Sequence, residues 1–204
     1  MAIEFFLKGV ILGLSIAAPL GPIGILCIRR TLTYGKYTGI VSGLGAASAD
    51  AVYGFIASIG LTFVTSLIIN QQHWFQLIGA IFLGYLGIRI FTSKNSYETS
   101  TTMKNQHMKA FSTTFILTLT NPMTILSFAA IFSGLGIANT TIALTPKVLL
   151  VVGVFLGSSL WWIFLSLIVS SIKNQITGFT FVINKLSGVI LLAFSLWSFY
   201  EVLK

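Results

Sequence analysis

Apolar residues run along this chain in long blocks separated by short polar stretches. The first uninterrupted block, residues 9–28, can cross a bilayer core that takes about 20 helical residues. The pattern predicts spans at about residues 5–28, 38–69, 74–91, 110–134, 148–172 and 181–202. Span one stops at Arg29-Arg30, and a loop with Tyr34-Gly35-Lys36 leads into span two. At about 32 residues span two exceeds one perpendicular crossing, so it must tilt, project from the bilayer or break near Gly60. Asn70-Gln71-Gln72-His73 is a tight polar turn, residues 92–109 form the longest hydrophilic stretch, and a loop through Pro146-Lys147 precedes span five.

Composition makes the membrane reading firm. Charged residues are 8% of the 204, against about 25% in an average soluble domain. With 55% hydrophobic residues, there is too little polar surface to coat a water-soluble globule, so the chain is a single membrane domain, 1–204. The net charge of +8 reflects scarce acids: Glu4, Asp50, Glu98 and Glu201. Basic residues are spread through the interhelical loops and form no stripe for nucleic acid, so positive-inside topology and anionic lipid account for them. Nine of them fall in loops one, three and five (Arg29, Arg30, Lys36, Arg89, Lys94, Lys104, Lys109, Lys173, Lys185) and three on the other side (Lys8, Lys147, Lys204). That count puts the odd loops in the cytoplasm and both termini outside. The first twenty residues have the outline of a signal peptide, with Ser15-Ile16-Ala17 as a cleavage-like tripeptide. Glu4 spoils the basic start and the apolar run continues to Ile28, so the segment is kept as span one.

Two spans carry helix breakers. Pro19, Gly21 and Pro22 interrupt span one, and the prolines free the carbonyls of Ser15 and Ala18. In hydrocarbon such groups are tolerated only where the backbone is buried in protein or lines a wet cavity. A lone kink is the plainer alternative to a broken helix that lines a path. Asn121-Pro122 in span four follows Gly21-Pro22 by 100 residues, residues 153–160 follow residues 43–50 by 110, and residues 186–188 follow 77–79 by 109. Two halves of three spans insert with opposite orientation, and binding sites of such inverted repeats lie near the midplane beside interrupted helices. The expected fold is therefore an all-α integral membrane protein. Its six transmembrane helices form two inverted three-helix repeats, about 1–91 and 110–204, around the loop 92–109, with helices one and four interrupted.

Asp50 is the acid that stands away from any span end. It lies about 18 Å in from Thr38 along a helix, near the middle of a core about 30 Å thick. Gly39, Gly43, Ala46, Ala47, Gly54 and Ala57 share its face, so it points into a close helix interface. A carboxylate there costs at least about a few kcal/mol. It is either a structural acid bonded to a neighbouring helix or a functional one that binds an amine or carries a proton. Asn121 offers an amide beside Pro122, which frees the carbonyl of Thr118; Thr118 and Thr120 add hydroxyls, and a polar helix contact is the alternative. Ser15, Ser48, Ser158 and Ser159 could join, although hydroxyls in membrane helices often satisfy their own backbone. Trp161 and Trp162 fall near mid-span, to wall a pocket or fill the core. Arg89 reads as a snorkelling residue at the end of span three, with contact to a carboxylate as the alternative. Gly9/Gly13, Gly35/Gly39/Gly43 and Gly153/Gly157 have small-xxx-small spacing for close helix approach, within the chain or in a homo-oligomer.

Pro19-Leu20-Gly21-Pro22, a glycine-rich span two ending in Asp50, Leu83-Gly84-Tyr85-Leu86-Gly87 and Asn121-Pro122 together resemble the LysE/RhtB family of small bacterial inner-membrane exporters of amino acids and related metabolites. The likeness covers nearly the whole chain. It implies efflux driven by the proton motive force, with Pro19, Gly21, Pro22, Asp50, Asn121 and Pro122 in the transport core. Met123 departs from the basic or small residue that many members carry after Asn-Pro. The expected function is a secondary transporter, exporting an amino acid or similar zwitterion in exchange for protons. Asp50 would meet the ammonium or a proton, and the half-helix ends at Gly21 and Asn121 the carboxylate. Divalent-metal efflux is an alternative that one membrane carboxylate and the lone Cys27 serve poorly. A non-transporting assembly subunit is another, and leaves broken helices with a midplane acid unexplained. No cofactor or metal is expected. A membrane enzyme or redox carrier is disfavoured, because the chain has no cysteine pair and no histidine besides the loop residues His73 and His107.

Overall fold

The computed structural model describes residues 2–59, 71–92, 103–121, 124–125, 127–128, 144–176 and 180–203. These residues are helical throughout apart from short turns, with no strand among them. In chain order the helices are α1 (Ala2–Ala17), α2 (Pro22–Tyr34), α3 (Lys36–Ile59), α4 (Gln72–Thr92), α5 (Met103–Leu119), α6 (Leu144–Ile176) and α7 (Thr180–Leu203). Within them, Lys36–Ser58, Leu144–Ile172 and Phe181–Leu203 are each long and apolar enough to cross a membrane. The pair α1 and α2 qualifies jointly but bends by 81° between its halves.

Apolar side chains face outward as well as into the core. Large apolar side chains such as Ile11, Leu160, Phe164, Leu196 and Trp197 are exposed, while Ser42, Asp50, Thr114, Ser158 and Ser195 are buried. A molecule that hides hydroxyls and shows leucine is built for a hydrocarbon surround.

Contacts between helices follow a definite register. Along α1 and α6 residue numbers rise together, because Gly9 lies on Leu150 and Gly153, and Gly13 on Val154 and Ser158. Along α3 and α5 they also rise together, from Ser42 on Ala110 to Tyr53 on Leu119. Between α3 and α6 they run oppositely: Gly39 faces Ser166, Gly43 faces Trp162 and Asp50 meets Ser158. Between α4 and α7 they are again opposed, with Gly84 against Ser195 and Phe91 against Gly188. Backbone meets backbone where the glycines stand: a Cβ on Gly157 would press on the Val10 carbonyl, and one on Gly153 on that of Phe6. The Gly9/Gly13 and Gly153/Gly157 spacings thus serve one intramolecular crossing.

Three sequence boundaries move. Span one does not stop at Arg29-Arg30; α2 continues to Tyr34 and both arginines are buried. The helix ends where Gly35 adopts φ 97° and gives its N–H to the Thr31 carbonyl, a left-handed conformation that glycine takes without steric cost. The hydrophilic stretch 92–109 is partly helical, since α5 already begins at Met103; its Lys, Gln and Met residues are good helix formers and contain no breaker. Pro146-Lys147 belongs to the first turn of α6, where a missing N–H costs nothing, and Lys147 is buried there. Gly60, Pro122 and Met123 lie outside the described residues.

Candidate functional site

The site starts from the break in span one. Pro19 cannot continue α1, whose last turn closes with the Ala18 N–H on the Leu14 carbonyl at 3.0 Å. Gly21 then gives its N–H to the Pro19 carbonyl at 3.0 Å, and its own carbonyl takes the N–H of Ile25 at 3.1 Å. Pro22 opens α2 at the position where proline is best tolerated. The two prolines therefore do different things: Pro19 stops one helix and Pro22 starts another. Gly21 is extended and a Cβ there would meet no atom within 4 Å.

The end of α5 beside Asn121 is a second break of a related kind. Helix α5 ends at Leu119, and the Asn121 N–H reaches back to the Thr118 carbonyl at 3.2 Å. The acceptor that Pro122 denies a partner is thus satisfied by a tighter turn. The Asn121 carbonyl then accepts from Thr124 at 3.1 Å and Ile125 at 3.2 Å. The Thr118 hydroxyl is spent on the Thr114 carbonyl at 2.9 Å, and that of Thr120 on the Ile116 carbonyl at 3.0 Å.

Both breaks border one cavity. Pro22 and Ile23 from α2, Gly79 and Leu83 from α4, Leu117, Thr120 and Asn121 from span four and Ser198 from α7 line it. It offers about 10 Å³, room for roughly one water and far below the ~300–1,000 Å³ of ordinary ligand pockets. Of the residues singled out in the sequence, Pro22, Thr120 and Asn121 come together here. Pro19, Gly21, Thr118 and Asp50 are not on this wall.

Asp50 instead faces α6. Only 3% of it is exposed. Ser158 donates its hydroxyl to Asp50 Oδ2 at 2.7 Å, and the Trp162 indole N–H donates to Ser158 Oγ at 3.2 Å. Gly13 of α1 packs on the Ser158 backbone, so the acid lies close to the arm of span one that precedes the break. One turn along α3, the Tyr53 hydroxyl donates to the Leu119 carbonyl, two residues before Asn121. Helix α3 thus touches both the acid's surroundings and the end of α5. Among the described residues the ion pair present is Lys8 with Glu4, at the surface; Asp50 is held by a neutral donor. Ser48 bonds its own backbone at Leu44, Ser15 is exposed, and buried Ser159 Oγ and Trp161 Nε1 have no hydrogen-bond partner among the described residues. Arg89 is exposed at the end of α4.

Arg29 and Arg30 were missed as interior residues, because arginines at the end of an apolar run read as a cytoplasmic anchor. They are 7% and 8% exposed. Arg29 Nε donates to Asn184 Oδ1 of α7 at 2.9 Å. Arg30 Nη1 donates to the Ala110 carbonyl at 2.9 Å, to Thr114 Oγ1 at 2.7 Å and to Ser42 Oγ. The available signal was Gly35: with the helix stop five residues beyond Arg30, both arginines fall inside α2.

Comparison with known proteins gives a family match, described as LysE type translocator, over residues 14–201. The chain is similar to "Putative amino acid efflux protein YcgF" of Bacillus subtilis (strain 168), at 30% identity with 98% of each chain covered. It is also similar to "Uncharacterized membrane protein YrhP" of the same organism, at 26% identity over 84% of this chain and 87% of that one. A third relative is "Uncharacterized membrane protein YahN" of Escherichia coli (strain K12), at 29% identity over 85% of this chain and 79% of the relative. No solved structure matches the chain.

Proposed function

Because this chain belongs to the LysE type translocators, a family of membrane transporters, we propose that it exports an amino acid or similar small zwitterion across the bacterial inner membrane in exchange for protons. The observation that carries this reading is the cavity shared by the two interrupted spans, with a buried acid held by a neutral hydroxyl on the neighbouring helix pair. The printed name of the 30%-identical relative, which speaks of amino acid efflux, supports the substrate class.

The proposed architecture is six spans in two inverted halves within one domain, 1–204. The helix registers support it. Span one is parallel to span five and span two to span four, while two opposes five and three opposes six; exchanging the two halves reproduces that set of relations. The proposed orientation keeps both termini outside. Cysteines introduced at Asn95 and Asn139, after removal of Cys27, are expected to label from opposite faces, and labelling of both from one face rejects it.

In the proposed mechanism Pro19, Gly21, Pro22, Thr118, Asn121 and Pro122 shape the substrate path, and Asp50 takes the ammonium or the proton. With a neutral donor beside it, Asp50 is free to exchange one cation for another. A zwitterion is larger than this cavity, and the proposed cycle opens it by moving α2, whose Pro22 and Ile23 form part of the wall. Divalent-metal efflux gains no support: among the described residues no group of three or more His, Cys, Asp or Glu could hold an ion. The test is uptake of labelled amino acids into inverted vesicles containing the protein. Accumulation that a proton gradient drives and a protonophore collapses is expected. Vesicles that accumulate no amino acid beyond protein-free controls overturn the reading.

A further inference from the structure

We propose that Arg30 binds the carboxylate of the exported zwitterion as it arrives from the cytoplasm, and that filling this site releases the half-helix α2. The proposal rests on the export reading above and assigns that substrate a contact outside the interrupted segments.

Three observations lead to it. First, Arg30 is a buried cation whose hydrogen bonds run through Nη1 to neutral acceptors, the Ser42 and Thr114 hydroxyls and the Ala110 carbonyl. Neutral acceptors offset the burial of a guanidinium less fully than a carboxylate, which accepts charge-assisted bonds and fits the planar fork in bidentate fashion. Second, the surroundings suit an anion. Ser42 and Thr114 lie 2.8 Å apart, and each hydroxyl can turn from acceptor to donor when a carboxylate takes the guanidinium. Third, Arg30 fastens the helix whose first turn borders the cavity. Helix α2 meets α1 at 81° and its first residues, Pro22 and Ile23, form part of the cavity wall. Arg30 lies about 10 Å farther along the same helix, where it ties α2 to α3 and α5.

One exchange therefore does two things. A carboxylate that takes Arg30 from Ser42, Thr114 and Ala110 gains a fixed cation and unfastens α2 from two of its neighbours. The Arg29 bond to Asn184 still joins α2 to α7, so α2 moves with that helix as a guide.

The chain supplies its own probe. Cys27, the single cysteine, lies on α2 three residues before Arg30 and is 1% exposed. In inverted vesicles the twenty proteinogenic L-amino acids are screened singly for uptake. A transported one is then compared with its decarboxylated amine as an accelerator of maleimide labelling at Cys27. The amino acid is expected to speed labelling of the wild-type protein about tenfold while the amine leaves it unchanged, and Arg30→Gln is expected to abolish the acceleration and raise KM about tenfold. Equal acceleration by both compounds, or a wild-type KM in Arg30→Gln, overturns the proposal. If Arg30→Gln does not fold, the double variant Ser42→Ala, Thr114→Val decides. It keeps the guanidinium and removes two acceptors, so Cys27 is expected to label faster than in wild type with no amino acid present; an unchanged rate overturns the proposal. Wild-type vesicles that accumulate none of the twenty reject the export reading itself, whereas uptake with a wild-type KM in Arg30→Gln rejects only the role of Arg30.

Discussion

Two levels of α3 hold ionisable groups of opposite sign among hydroxyls. At Ser42 the helix meets Arg30 and Thr114, a cation among hydroxyls on the α2 and α5 side. Eight residues on, about 12 Å along the axis, Asp50 meets Ser158 and through it Trp162, an acid beside a hydroxyl on the α6 side. The two charges could have been built as a buried ion pair, which is seldom more stable than an apolar contact and is hard to break. Among the described residues each has neutral hydrogen-bond partners instead. On the proposed reading, a carrier that takes up and releases a zwitterion is served by two such separate groups better than by one strong pair.

Asp50→Asn gives the largest expected effect on that comparison. Asn keeps the size and a hydrogen bond to Ser158 but neither titrates nor attracts an ammonium. Proton-driven export is expected to fall below detection at every pH while the protein still inserts and purifies. Wild-type transport in this variant would leave Asp50 a structural acid and Arg30 the sole charged group of the path.

Next in size is the pair Pro19→Ala with Pro22→Ala. Each proline holds one side of the break, so either single change leaves the other in place, and the double change lets α1 continue into α2. A drop in export of at least about tenfold for the double variant, greater than the product of the single effects, is expected from such coupling. Export at the wild-type rate from a straightened span would disconnect the cavity from transport. Gly157→Ala changes stability instead. Its Cβ would meet the Val10 backbone, and overpacking of this kind costs about 1–3 kcal/mol, read as a lower thermal midpoint. Gly21→Ala, with open space around it, is expected to leave that midpoint unchanged.

These cases also mark what the chain discloses before its structure is known. Asp50 is conspicuous because nothing else charged lies near it in the sequence, and Pro19, Pro22 and Asn121 because their backbone chemistry is local. The crossing of Gly9 and Gly13 on Gly153 and Gly157 is half legible: the spacing announces a close approach, and the partner comes only from tertiary packing. Arg30 is hidden for a different reason. Its meaning depends on Ser42, Ala110 and Thr114, up to 84 residues away, while its local setting has a ready explanation in membrane topology. Ser158 is hidden likewise, one hydroxyl among many until α6 is set against α3.

Ser158→Ala is the smallest expected change and the sharpest on the likeness between the two levels. The hydroxyl gives Asp50 its described hydrogen bond and accepts that of Trp162, so its loss leaves both groups to find other partners in a packed interface. A bond to a charged group is worth about 1.5–3 kcal/mol, but on the proposed mechanism Asp50 gives this bond up in part of every cycle. Export is therefore expected to fall only several-fold. Ser42→Ala at the other level is expected to alter the rate comparably, since Thr114 and Ala110 remain on Arg30. If Ser158→Ala abolishes export as Asp50→Asn does, the hydroxyl belongs to the proton path itself and the two levels are not equivalent. If it has no effect on transport yet lowers the thermal midpoint, Ser158 only secures α6 to α3, and the likeness of the two levels stops at geometry.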